Sequence, residues 1–152
     1  MSKHTENVIS ATLKHRTLSD AAIFEVERLG DEAFDYISAR MTRDDAMDKR
    51  EIVNAFRLLI VLCRKFCVLR KRELVGLAIL FLERDEIEVR SAAANAATAE
   101  VSMIELTPSL QRSQGIDDVL RGQLEAALRK ALTMGLAPRE STIARGYLKM
   151  TG

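Results

Sequence analysis

Apolar residues return every three or four positions along most of the chain, and each run is bounded by residues that start or stop helices. Val8, Ile9, Ala11 and Leu13 make a first helix over about residues 6–13. Thr17 or Ser19 is placed to cap a second, which carries Ala22, Ile23, Val26 and Leu29 and stops at Gly30. A third opens on Asp31 and Glu32, carries Ala33, Phe34, Ile37 and Met41, and ends near Arg43. Asp44 and Asp45 open the next, which runs to Phe66 and is expected to be the longest in the chain. From Leu58 to Cys63 every residue is apolar, the pattern of a helix buried on several sides.

After a turn at residues 68–71, Leu74, Val75, Leu77, Ala78, Phe81 and Leu82 form one helical face, and Val89, Ala92, Ala93, Ala96, Ala97 and Val101 form another. Asp85, with Glu88 three positions on, predicts a capping box for the second of these helices. Its alanine-rich face lets a neighbouring helix approach near the lower end of the roughly 8–10 Å interaxial range. Residues 107–115 read as a loop. Ile116, Val119, Leu120, Leu124, Ala127, Leu128, Ala131 and Leu132 predict a helix ending near Gly135, and Pro138 suits the first turn of a last one holding Ile143, Ala144, Tyr147 and Leu148.

Composition agrees with an all-α chain: 152 residues, 47% apolar and 30% charged, with two prolines, are too apolar for disorder and too poor in turn formers for a β protein. Such a length suits a single domain that buries about 70% of its unfolded surface. The formal charge of +1 leaves no global field to draw the chain onto nucleic acid or an anionic membrane, so charge-driven binding must come from a local patch. Neither a signal-peptide pattern nor an apolar run of membrane-spanning length stands in the sequence, and a cytoplasmic protein without membrane partners is expected. Cys63 and Cys67 suit buried, reduced thiols.

A shift of forty residues pairs Phe34 with Leu74, Ile37 with Leu77, Met41 with Phe81, Asp45 with Asp85, Lys49-Arg50 with Val89-Arg90, Val53 with Ala93 and Phe56 with Ala96. Repeats of about 40–47 residues built of paired helices mark α-solenoids. The stretch from Leu82 to Ala93, with Asp85, the Val89-Arg90 pair and small residues, resembles the HEAT repeat. That resemblance implies a short right-handed α-solenoid of antiparallel helix pairs, with its best units over 31–66 and 71–101 and the terminal helices as caps. It also implies that Asp85 and Arg90, and more weakly Asp45 and Arg50, join neighbouring repeats.

The sharpest candidate for chemistry is the basic run Arg57, Arg64, Lys65, Arg70, Lys71 and Arg72, within which no acidic residue falls from Ile52 to Arg72. Such a run can bind phosphates, RNA or an acidic protein, and equally suits the negative end of a helix dipole. With no Trp and only Tyr36 and Tyr147, the stacking platforms of single-strand recognition are scarce. The acidic turn at Glu83, Asp85, Glu86 and Glu88 lacks the glycine of a calcium loop. Cys63 and Cys67 lack two further zinc ligands, and His4 and His15 stand about 16 Å apart along a helix. Neither a phosphate loop nor a nucleophile elbow is present.

The expectation is a non-enzymatic protein-interaction module without metal or cofactor, a scaffold or a small inhibitor or immunity-type partner. It would engage another protein through the basic run and through Glu51, Asn54, Ser91 and Asn95 on its second helices. The alternatives are a nucleic-acid-binding helical-repeat protein, akin to the DNA-base enzymes of that class, and a homodimer joined through Leu58 to Cys63.

Overall fold

The computed structural model describes residues 1–43 and 46–151, with backbone only at 151. Asp44 and Asp45, expected to open a helix and, for Asp45, to join repeats, lie outside the described residues. Those described form nine α-helices and one 3-10 turn at Val68–Arg70, without a strand. None of these helices is long and apolar enough to cross a membrane. They group into two compact units, Met1–Val68 and Leu69–Gly152.

The first unit holds α1 (Lys3–Leu13), α2 (Asp20–Glu27), α3 (Asp31–Arg43) and α4 (Lys49–Lys65). Ser2, Ser19 and Asp48 accept the orphan N–H groups of Thr5, Ala22 and Glu51, so three of the four helices start on a side-chain cap. Ser2 starts α1 three residues earlier than the apolar pattern does, because a cap needs no apolar neighbour. Gly30, at φ 53°, turns the chain between α2 and α3 in the left-handed region that glycine enters without cost. Packing of α1, α2 and α3 on α4 buries Ile9, Leu13, Val26, Phe34, Ile37, Phe56 and Leu59. In the folded chain Leu58, Leu59, Leu62 and Cys63 are at most 1% exposed, while Val61 among them is half-buried.

The second unit holds α5 (Lys71–Phe81), α6 (Ile87–Leu106), α7 (Pro108–Gln114), α8 (Asp118–Met134) and α9 (Pro138–Thr151). Its axis is α6, which at 20 residues exceeds the 17 of α4, the helix expected to be longest. α5, α7, α8 and α9 all pack on α6, whose Ala93, Ala94, Ala96 and Ala97 leave little side-chain bulk between them. Two local expectations fail here. Residues 108–114 form a helix rather than a loop: Pro108 occupies the first turn, and Leu110 and Gln114 face the interior. One apolar residue in seven is too sparse a stripe to register as helical. The capping box is also absent, since Glu86 occupies the cap position and makes no side-chain bond.

What holds the start of α6 is Arg90, only 5% exposed. Its guanidinium donates to the carbonyls of Arg84 and Asp85 at 2.9 and 2.7 Å, and to those of Met134 and Gly135 at 3.2 and 2.8 Å. Asp85 thus serves Arg90 through its main chain. The planar fork closes the α5–α6 turn onto the C-terminal end of α8, whose last carbonyls have no helical partner. Gly135, at φ 110°, ends α8 in a conformation that L side chains rarely adopt. Beside it, Ser91 Oγ accepts the N–H of Ala137 at 2.9 Å, fixing the α8–α9 connection.

Candidate interaction surface

The ten residues expected at a partner interface separate by burial. Glu51, Asn54, Lys71 and Ser91 are enclosed, at 6%, 4%, 2% and 6% exposure, and are not on an open face. Each satisfies a group inside the fold. Glu51 accepts from Arg40 at 2.9 Å, and Arg40 also reaches Ser10, binding α3 to α4 and α1. Asn54 donates to the carbonyls of Leu13 and His15 at 2.9 and 2.8 Å, closing the C-terminal end of α1. Because a helix leaves its last four carbonyls unpaired, a buried amide is a natural partner there. Asn95 is half-buried.

The basic turn is largely neutralised from within. Lys71 Nζ meets Glu100 at 2.9 Å with both side chains at most 2% exposed. Arg70 pairs with Glu73 at 2.8 Å. Arg72 gives its N–H to Gln114 at 3.0 Å, and its guanidinium holds the carbonyls of Gln114 and Gly115 and, at 3.3 Å, the Asp117 carboxylate. Asp117 also caps α8 by accepting from Leu120. That backbone bond first, and Arg72 second, hold its carboxyl below the usual carboxylate range.

On α4 the picture differs. Lys65 reaches Glu27 at 3.3 Å while staying 60% exposed. Arg57 and Arg64 are exposed and have no ion pair among the described residues. They are the candidates that remain free to meet another molecule. Arg50, which the resemblance placed at a joint between repeats, is instead exposed without an ion pair among the described residues, and it stands one heptad before Arg57.

Cys63 and Cys67 are buried and form no disulfide, and among the described residues no group of three or more His, Cys, Asp or Glu side chains is placed to hold a metal. The grooves open to solvent among the described residues include two. One, of about 450 Å³, lies between α1 and α2 and is lined by His4, Val8, Glu25 and Arg28. The other, of about 610 Å³, lies between α5 and α8, where Gly76, Leu80 and Ala126 are spanned by the Lys130–Glu83 pair at 3.3 Å. Neither gathers a nucleophile, a base and an oxyanion donor.

Tyr147 on α9 has a displaced titration. Burial first, then the neighbouring Glu105, push its phenol up to about 12. Folding therefore favours the neutral phenol, and the stability this confers is complete below about pH 10 and lost as pH rises through 12. In a Tyr36→Phe background, near-UV titration of the remaining phenol should show its midpoint near pH 12. Over the same range stability should fall by up to about 2–3 kcal/mol, a loss that Tyr147→Phe removes. A midpoint at the free-tyrosine value contradicts the burial argument. Comparison with known protein families, with characterised proteins and with solved structures finds no match to this chain.

Proposed function

We propose that the chain is a non-enzymatic protein-interaction module of HEAT-like helix pairs that binds an acidic surface of another protein through α4. The observation that carries this reading is the contrast between its two sets of cations. Those of the turn, Arg70, Lys71 and Arg72, are paired within the fold, whereas Arg57 and Arg64 on α4 stand exposed without an ion pair among the described residues. Exposed charges without internal partners steer association and select partners of opposite sign.

The HEAT-like reading is supported by burial at the forty-residue shift: Phe34 and Leu74, Ile37 and Leu77, Met41 and Phe81, and Phe56 and Ala96 are buried pair by pair. On this reading α3 and α5 are the first helices, and α4 and α6 the second helices, of two repeats. A narrower form of the proposal is a small inhibitor or immunity-type protein that occludes its partner. The test is affinity capture from nuclease-treated native lysate, beside an unrelated helical protein of matched charge. Specific retention of a protein, released by raising salt, is expected. Retention no different from the control rejects the module reading.

A further inference from the structure

Between its end residues Lys49 and Lys65, all but one stripe of α4 is covered. Among its residues the exposed positions are Lys49, Arg50, Arg57, Arg64 and Lys65, and the half-buried ones are Val53 and Val61. At 100° per residue, Arg50, Val53, Arg57, Val61 and Arg64 fall within about 80° of one another. The open face of the helix is therefore a line in which arginines alternate with valines. Successive arginines are seven residues apart, about 10.5 Å along the axis, so the three span about 21 Å.

No carboxylate interrupts this line. Glu51, the one acidic residue of α4, points inward to Arg40. The geometry points to a docking seam for an amphipathic helix of another protein, one that carries carboxylates at heptad spacing in register with Arg50, Arg57 and Arg64 and small apolar residues between them. This rests on the interaction-module reading and names its partner's chemistry.

Three features select that occupant. Guanidinium forks pair with carboxylates in two-bonded geometry, and a helix is the element whose side chains repeat at the same interval as the arginines. Val53 and Val61 offer apolar contact that a helix seam fills but a phosphate backbone does not, and no aromatic residue lies on the stripe to stack a base. A second copy of the chain is a poor match, since nowhere in its sequence do three carboxylates follow one another at seven-residue intervals.

The test uses the full chain and labelled synthetic helical peptides of about three heptads. One carries glutamate at every seventh position with valine or leucine between, and a second has the same composition with the glutamates scrambled. Fluorescence anisotropy should show the in-register peptide binding, with affinity at least ~10-fold weaker for the scrambled peptide and for Arg57→Glu, a substitution at an exposed position. Circular dichroism of R57E checks that the fold is kept, and Arg64→Ala provides a milder second variant expected to weaken binding in the same direction.

Absence of peptide binding overturns the seam. So does equal binding of the scrambled peptide, which reduces the effect to bulk charge, and so does tighter binding of RNA or duplex DNA probes of the same length. If wild type and R57E retain the same cellular protein equally, the module reading stands and this seam is not its seat. If wild type retains nothing beyond the control, the module reading itself fails.

Discussion

Replacing Lys71 with methionine is expected to destabilise the protein by roughly 3–5 kcal/mol, far more than the loss of one surface ion pair. Lys71 and Glu100 meet at 2.9 Å with side chains 2% and 1% exposed, so truncating the cation leaves a carboxylate in an interior that gives it little solvation. The converse change, Glu100→Leu, strands the ammonium and should cost a similar amount. Changing both at once removes the desolvation of both charges, so the double variant should lie within about 1 kcal/mol of wild type or exceed it. Urea unfolding of the four proteins gives the coupling directly. Single variants that lose less than about 1 kcal/mol would sink the assignment of a buried, mutually dependent pair.

Arg90→Ala should have an effect of the same order for a different reason. The side chain holds four backbone carbonyls on two sides of a turn, and without it Arg84, Asp85, Met134 and Gly135 lose a donor at a partly buried site. Bonds to a charged donor contribute about 1.5–3 kcal/mol each and overlap strongly, so a total near 3–5 kcal/mol is expected. For a chain of this length that lowers Tm by roughly 6–20 °C. Helix content at low temperature should change little, because the helices either side are intact. Arg90→Lys keeps the charge and loses the fork, and should recover only part of the loss. A melting temperature unchanged in R90A overturns the role assigned to this residue.

The two cases differ in how far they stand in the sequence. Arg90 was legible as structural, because a Val-Arg pair after an acidic turn resembles a repeat in which the arginine joins elements. Its partners were not: the resemblance pointed to Asp85, whereas the structure brings carbonyls of residues 134 and 135 to the guanidinium. Main-chain acceptors are the same at every residue and leave no mark in a sequence. Lys71 reads as one member of a basic run, and nothing local separates it from Arg70 or Arg72. Only its distance of 29 positions to Glu100, closed by the packing of α5 on α6, turns it inward. Glu51, Asn54 and Ser91 were likewise legible as polar positions on second helices but not as interior ones, because their partners are carbonyls, an N–H and an arginine from other parts of the chain.

The sequence by itself determined the all-α class, the span of eight of the helices within a few residues, the glycines that end α2 and α8 and the proline that begins α9. All of these depend on side chains three or four positions apart or on the conformational limits of single residues, which act before any tertiary contact forms. It also carried the heptad line of arginines on α4, since spacing along one helix is local. The tertiary structure alone decided that residues 108–114 are helical, that the basic turn is neutralised, and that the open face of α4 has arginine and valine alternating along it. Those outcomes depend on which surfaces meet across tens of residues, where burial forces each polar group to find a partner and leaves exposed only what the neighbouring helices do not cover.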